Sequence, residues 1–353
     1  MLTGFFPLDQ SLKLPSGVWS EGVAKDVCRL SARMPFAAVA EDLAALTGVS
    51  VSPKSVERLT HHYGTALADV QRAAAEAIWH GPSSAPVPPP DQRPARRAIS
   101  VDGVMINVRQ AGWSEVKVGS VSDFSAPPDP ARATPDLSGP PEYHTTAHDI
   151  SYCAHLGQAE EFEPLYWAEM EARQVRWAQT QVAVSDAGVW VRQLLRAALP
   201  DGEHIVDWYH ACQRLWSVSN TVHVGGSPQA AEWGERVETA LWQGKVSEVL
   251  AELQSLQAEG HTQPVIGEAF TYFTNQGQFM HYPDYRQKGY PIASGTVESA
   301  CKNLVGARCK LPGMRWSSAG AQAVLTLRAG LLSQRWDTNW SQARNSALGL
   351  PLN

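Results

Sequence analysis

The chain has 353 residues, 44% hydrophobic and 18% charged, with a formal net charge of −6. That length supports a sizeable core and two or three domains, and no apolar run approaches the ~18 residues that read as a membrane span. Five cysteines (Cys28, Cys153, Cys212, Cys301, Cys309) are odd in number and never form a CxxC pair, which argues for reduced thiols in a cytoplasmic protein and against a zinc ribbon. The start, "MLTGFFPLDQ", lacks the basic residues and long apolar segment of a secretory signal.

In chain order, "FAAVAEDLAAL" (36–46) has helical spacing and breaks at "TGVSVS". "PKSVERLTHHYG" (53–64) predicts a second helix, opened by Pro53 and closed at Gly64. Two short helices around a Gly-containing turn fit a helix-turn-helix, with Lys54, Arg58, His61 and His62 on the second helix; a small helical bundle shows the same pattern. "GPSSAPVPPPDQRPARR" (81–97) carries six prolines and no periodicity, and reads as an extended linker. "AISVDGVMINV" (98–108) and "WSEVKVGSVSDF" (113–124) alternate apolar and polar residues, and predict a β-hairpin. A Pro-rich excursion over 125–141 precedes a third strand at "DISYCAHL" (149–156).

An amphipathic helix over about 158–178 then leads into a short buried strand, "QVAVSDAG" (181–188). "VWVRQLLRAAL" is the next helix, "HIVDW" a fifth strand, and "YHACQRLWSVSN" a helix after it. Residues 228–281 read as wholly helical, and "SGTVESACKNLV" and "SAGAQAVLTLRAGLLSQRW" add two more helices. Three antiparallel-type strands, helix, strand, helix, strand, then helices only, is the ribonuclease-H-like layout: a mixed five-stranded sheet with helices on both faces. A doubly wound nucleotide-binding fold would need alternating βα units from the start and a Gly-rich first turn, and has neither here.

Charge is segregated along this layout. Ser299 to Trp336 contains no Asp or Glu but holds Lys302, Arg308, Lys310, Arg315, Arg328 and Arg335, whereas "QAEEFEPLYWAEME" carries five glutamates and no base. A basic stretch of this kind can track phosphates even in an acidic chain. A solvated helix face is the plainer account.

Three separated acids stand out. Asp102 lies midway along the first strand, where a carboxylate is costly unless paired or metal-bound; an Asp-Gly turn is the other reading. Asp186 ends the fourth strand, where a helix cap is equally natural. Glu298 falls in the first turn of a late helix, favoured there by the helix dipole and by Lys302 four residues on. In "IVDWYHACQRL", Asp207 and His210 are a metal pair, an acid–base pair, or the capped start of a helix. Carboxylates converging from separate elements suit hard divalent ions, and a metal pair ~3.5–4 Å apart serves phosphodiester chemistry.

The stretches "SVDGVMINVRQAGWSEVKVG", "VSDAGVWVRQLL", "IVDWYHACQRL" and "SGTVESACKNLVGARCKLPGMRW" resemble the DDE transposases of prokaryotic insertion sequences, nearest to the Kra-type family related to the Mutator-like group. The resemblance implies a metal triad of Asp102, Asp186 and Glu298 holding two Mg²⁺ or Mn²⁺ ions. It also implies an Asp-x-x-His signature at Asp207 and His210, with His210 orienting a phosphate or the attacking oxygen. Partners would be double-stranded DNA and further copies of the chain in a synaptic assembly, with no membrane and a nucleoid-associated location. DNA contacts are expected from Lys302, Arg308, Lys310, Arg315, Lys54 and Arg58.

The implied organisation is an N-terminal helical DNA-binding region (1–80), the linker (81–97) and a catalytic core in two parts (98–215 and 291–336). An all-helical insertion (216–290) separates those parts, and a tail (337–353) follows. Family members usually carry paired cysteines before "GFFPLDQSL", which here lies near the start; the expectation is a shortened copy with weaker recognition of the element's inverted repeats. Two other function classes fit parts of the chain. One is a DNA-binding regulator using the N-terminal helices. The other is a metal-independent two-carboxylate hydrolase, which needs aromatic sugar platforms near its acids; Trp167, Trp177, Trp190, Trp208, Trp233 and Trp242 instead sit mostly at apolar, core-like positions.

Overall fold

Alternating apolar residues form the first predicted strand, which begins two residues earlier than expected, as Arg96–Val108 (β1), and pairs along its length with Gly112–Ser125 (β2). The structure is a computed structural model and describes residues 19–80, 90–126 and 145–351. Asp102 and Gly103 do not turn: they pair with Val118 and Lys117 in mid-ladder. The hairpin turns later, where Gln110 (φ 69°) and Gly112 (φ 74°) adopt left-handed backbone. Thr146–Leu156 (β3) adds antiparallel to β2, while Thr180–Ser185 (β4) and Glu203–Val206 (β5) add parallel beyond β1. The order is β3-β2-β1-β4-β5, the mixed ribonuclease-H-like sheet expected from the element order.

Strand alternation sends neighbouring residues to opposite faces. Ile99, Val101, Val121 and Ala183 face Ala159–Ala172 (α4) and Val189–Ala198 (α5), packing on Phe162, Tyr166 and Leu195. Gly119 lets the Tyr166 ring lie on β2, since a Cβ there would fall 2.4 Å from the ring. The Tyr166 hydroxyl donates to the Ser100 and Ser120 carbonyls. The opposite face carries Ala98, Val182, Val184 and Val206, which join a helical layer of Trp208–Val222 (α6), Pro228–Trp242 (α7), Val246–Ala258 (α8), Pro264–Gln276 (α9) and Tyr282–Gln287 (α10). Trp208, Trp233 and Trp242 are buried there, so these tryptophans are core.

Further along the same face, Ile106, Val116 and Val118 pack on Gly295–Ala300 (α11), on the π-helical turn that continues it (Cys301–Gly306), and on Ser318–Leu332 (α12). The outer edge of β3 is closed without a further strand. Gln322 of α12 accepts from Leu156 N and donates to Ala154 O, imitating a backbone partner, and Ser333 accepts from Tyr152 N. Unpaired strand edges invite aggregation, and this covering removes the hazard.

The N-terminal helices depart from expectation. Glu21–Ser31 (α1) was not foreseen, and Phe36–Thr47 (α2) ends at Gly48 in left-handed backbone as its sequence suggests. The next helix, Pro53–His80 (α3), runs 28 residues straight through Gly64. Gly64 is a crossing point, not a stop: a Cβ there would lie 2.6 Å from the Ala323 carbonyl oxygen of α12. The region placed in a tail is mostly helix, Trp336–Ala347 (α13), whose Trp340 packs 4.8 Å from the Tyr63 ring. Residues 81–89, most of the Pro-rich excursion and "GFFPLDQSL" lie outside the described residues, and β1 already begins at Arg96.

The crossing gives a clear expectation for Gly64→Ala. Alanine favours an isolated helix by roughly 0.5–1 kcal/mol, but the clash is with backbone, and overpacking costs about 1–3 kcal/mol. The variant should melt below the parent by calorimetry. An unchanged or higher melting temperature would show that α3 and α12 can separate freely.

Candidate metal centre

Open sheets collect functional groups where their parallel strands end. The β1–β4 ladder closes at Ile99↔Ala183; three residues beyond it on each chain segment come Asp102 and Asp186, near enough that the Asp186 charge acts on Asp102. The β4–β5 ladder closes at Ser185↔Val206, so one residue on, Asp186 comes level with Asp207. Asp102 in the middle of β1, and Asp186 and Asp207 just past the ends of β4 and β5, therefore come to one region of the sheet, although they are far apart in sequence.

Each has a local reason to be there. Asp186 turns back on the chain, its Oδ1 accepting from Gly188 N at 2.9 Å, while Ala187 takes a left-handed φ of 66°. That conformation costs a non-glycine residue roughly 1–2 kcal/mol, and it redirects the chain into α5. Asp207 caps α6, its Oδ1 accepting from His210 N at 2.8 Å, which is the cap the sequence suggested. Asp102 accepts from Gly103 N at 2.7 Å through Oδ1 and from the Cys301 thiol at 3.4 Å through Oδ2. Cys301 follows Glu298 by about one turn, so this bond ties the Glu298 helix to the middle of β1. The π-helical turn begins at Cys301, and such turns are frequent at functional sites.

Asp207 is sealed at 0% exposure. Its Oδ2 accepts from Ser294 N at 2.6 Å and Ser294 Oγ at 2.8 Å, and that Oγ lies 3.0 Å from Glu298 Oε1. His210 Nδ1 lies 3.1 Å from Asp207 Oδ1, an ion-pair distance, but it is not aligned for a hydrogen bond and has no other partner among the described residues. With Nδ1 turned toward a buried carboxylate, Nε2 is the ring nitrogen left to meet a ligand.

The electrostatics agree with this crowding. Burial raises the Asp102 pKa, with the Asp186 charge adding to it, against hydrogen bonds from Gly103 and Cys301. Burial would also raise Asp207, but the His210 contact and the Ser294 donors outweigh it and hold the carboxyl below its usual range. His210 moves upward, first through Asp207, then against burial with help from Asp186 and Glu298. The imidazole thus senses Asp207, Asp186 and Glu298.

Asp207, His210 and Glu298 each offer a ligand atom, all within 4.8 Å of one another. This grouping is tight enough to share one divalent ion, and its oxygen-rich donors suit Mg²⁺ or Mn²⁺. It differs from the implied triad, because Asp102 and Asp186 stand beside the group and not within it. Its members are also unequal. Asp207 has both oxygens engaged by protein donors, whereas Glu298 is exposed. No described residue hydrogen-bonds Asp186 Oδ2 or Glu298 Oε2. The open donors lie on the Asp186 and Glu298 sides. A clustered acid and imidazole set at the end of this sheet has the chemistry of a metal-dependent, nuclease-like site.

The expected DNA contacts divide. Lys302, Lys310, Arg315, Lys54 and Arg58 are exposed, with Lys54 paired to Glu57 at 2.8 Å. Arg308 is a correction: at 1% exposure it cannot reach a phosphate. Its guanidinium lies 5.0 Å from the Phe36 ring and 4.9 Å from the Trp316 ring, and donates to the Ser31 carbonyl. Arg328 donates to the Ala32 carbonyl beside it. Two cations thus serve the carbonyl end of α1, where the helix dipole favours positive charge. Arg308→Ala should therefore cost about 2–4 kcal/mol of stability through lost packing and cation–π contact. The salt dependence of DNA binding should stay at the parent slope; a flatter slope would return Arg308 to the DNA surface.

Sequence reasoning missed Ser294 and the Cys301–Asp102 bond. "ASGTVES" reads as an ordinary serine cap, and nothing in it shows the hydroxyl turning away from its own helix. No protein-family model matches the chain, and no curated protein matches it significantly. No helix among the described residues is long and apolar enough to cross a membrane.

Proposed function

We propose that the chain is a DDE transposase of the Kra-type insertion-sequence family, cleaving DNA at element ends and joining the freed 3′-OH to target DNA. The observation that supports this reading is the nearness of Asp186 to Asp102, whose charges act on one another, together with the bond from Cys301, one turn after Glu298, to Asp102. Asp102, Asp186 and Glu298 are the residues that would hold two Mg²⁺ or Mn²⁺ ions. When bound, such ions lower the pKa of an attacking water or hydroxyl and stabilise the leaving oxygen.

The chain's own residues supply position. His210, braced by Asp207, presents Nε2 to a phosphate or the attacking oxygen and orients it. Basic groups from three elements meet near one end of the sheet. Arg109 N donates to the Trp316 carbonyl at 2.7 Å, next to Arg315, and the Arg109 charge acts on Glu57 of α3, beside Lys54. Together with Lys302, Lys310 and Arg58 these side chains favour duplex DNA, and synapsis of two ends calls for more than one copy. A cytoplasmic, nucleoid-associated location goes with that substrate.

The test is a labelled duplex carrying the ends of the element that flanks this gene, incubated with the full chain and Mn²⁺. The expected product is a nick with a 3′-OH at the element boundary, abolished by EDTA. Cleavage that persists in EDTA would overturn the metal-dependent reading. Binding without cleavage, retained after removal of everything beyond residue 80, would favour the regulator.

A further inference from the structure

Ser294 stands immediately before α11, where a serine ordinarily turns its hydroxyl onto the N–H groups of its own helix. Ser20, Ser227 and Ser317 do so for α1, α7 and α12. Ser294 does not: it makes no side-chain cap bond. It is 3% exposed, and its N–H and Oγ both reach Asp207 Oδ2, at 2.6 and 2.8 Å, while Oγ also lies 3.0 Å from Glu298 Oε1. A hydroxyl has one proton to give. Because Asp207 Oδ2 already accepts the Ser294 N–H, the hydroxyl proton can be given to Glu298 without leaving that oxygen bare. This is the one side-chain hydrogen bond that Glu298 makes among the described residues.

We infer that Ser294 is a positioning residue of the metal centre. It couples sealed Asp207 to exposed Glu298 and holds the Glu298 carboxylate in place for a divalent cation. The inference rests on the metal-centre reading. A ligand carboxylate held by an outer partner is oriented before the ion arrives, and loss of such partners typically weakens metal binding 10–100-fold. The helix itself has a second tether, because Thr296 Oγ1 lies 3.1 Å from Ser120 Oγ, so α11 stays docked when the Ser294 hydroxyl is removed.

The experiment is a Mn²⁺ titration of the full chain by electron paramagnetic resonance, comparing parent, Ser294→Ala, Ser294→Thr and Ser294→Cys. Ser294→Ala should bind Mn²⁺ about 10–100-fold more weakly, at a melting temperature close to the parent's, and Ser294→Thr should restore affinity. Should the alanine variant not fold, the near-isosteric cysteine, a poor donor, should show the same weakening. In a Glu298→Ala background the serine substitutions should have no further effect. Parent-like affinity in the folded alanine or cysteine variant overturns the inference. If the parent binds Mn²⁺ but nicks no DNA, the transposase reading falls, and Ser294 is still judged by the affinities. A parent that binds no Mn²⁺ overturns the metal centre and this inference together.

Discussion

Asp102→Asn should lower strand cleavage and strand joining by at least about 10³-fold, the rate equivalent of the several kcal/mol that a lost metal ligand costs. Duplex binding should be unchanged in the same variant. Asparagine keeps the shape of the side chain and still accepts from Gly103 N through one oxygen, so β1 need not move. It also removes a charge that burial and Asp186 both disfavour, so the melting temperature should hold or rise. Nicking assays beside gel shifts read both effects. Cleavage at the parent rate would remove Asp102 from the reaction, and a collapse of both binding and stability would make it structural.

Asp207 and His210 should separate in the opposite way. His210→Ala is expected to slow cleavage and joining by ~10²-fold, the scale of lost positioning, with fold and Mn²⁺ affinity retained, because the ring is partly exposed and only its inner nitrogen is buried. Asp207→Ala is expected to cost about 3–5 kcal/mol of stability, the range for breaking a buried charged contact. It leaves the N–H groups of Ser294 and His210 without their acceptor. The sign of the pH dependence follows from the depressed Asp207 pKa. Its contribution is fully present above its unfolded value of ~3.9 and is lost as pH falls through the lower folded value. Acid denaturation of Asp207→Asn should therefore lack that component. Loss of Mn²⁺ affinity in His210→Ala would make the imidazole a ligand, and an Asp207→Ala variant as stable as the parent would end its role as an anchor.

Local signals carried most of the fold. The period-2 alternation of "AISVDGVMINV" and "WSEVKVGSVSDF", and the apolar run ending in "VAVSD", sufficed for the strands, because alternation records which face is buried. Asp207 as a cap and Gly48 as a helix stop were legible for the same reason, since both act within four residues of themselves. Gly64 misled because a glycine that ends a helix and one that admits a neighbouring helix look alike in sequence. The Ala323 carbonyl that decides between them is some 260 residues away, and Arg308 was misjudged likewise, with rings from α2 and the loop before α12 closing over it.

The site divides along the same line. By itself the sequence singled out the candidate residues: carboxylates at Asp102, Asp186, Asp207 and Glu298 and the imidazole at His210, placed within a strand, after strand ends and at helix starts by local propensity. Which of them meet was decided only by strand register and by the docking of α11. Strand pairing brings Asp102, Asp186 and Asp207 to one region of the sheet, and Ser294 N and the Cys301 thiol bond Glu298's helix to Asp207 and to Asp102. Those contacts join residues about 90 to 200 positions apart. Such pairings follow from how the faces of the whole sheet are buried, and no short window of the chain contains that information.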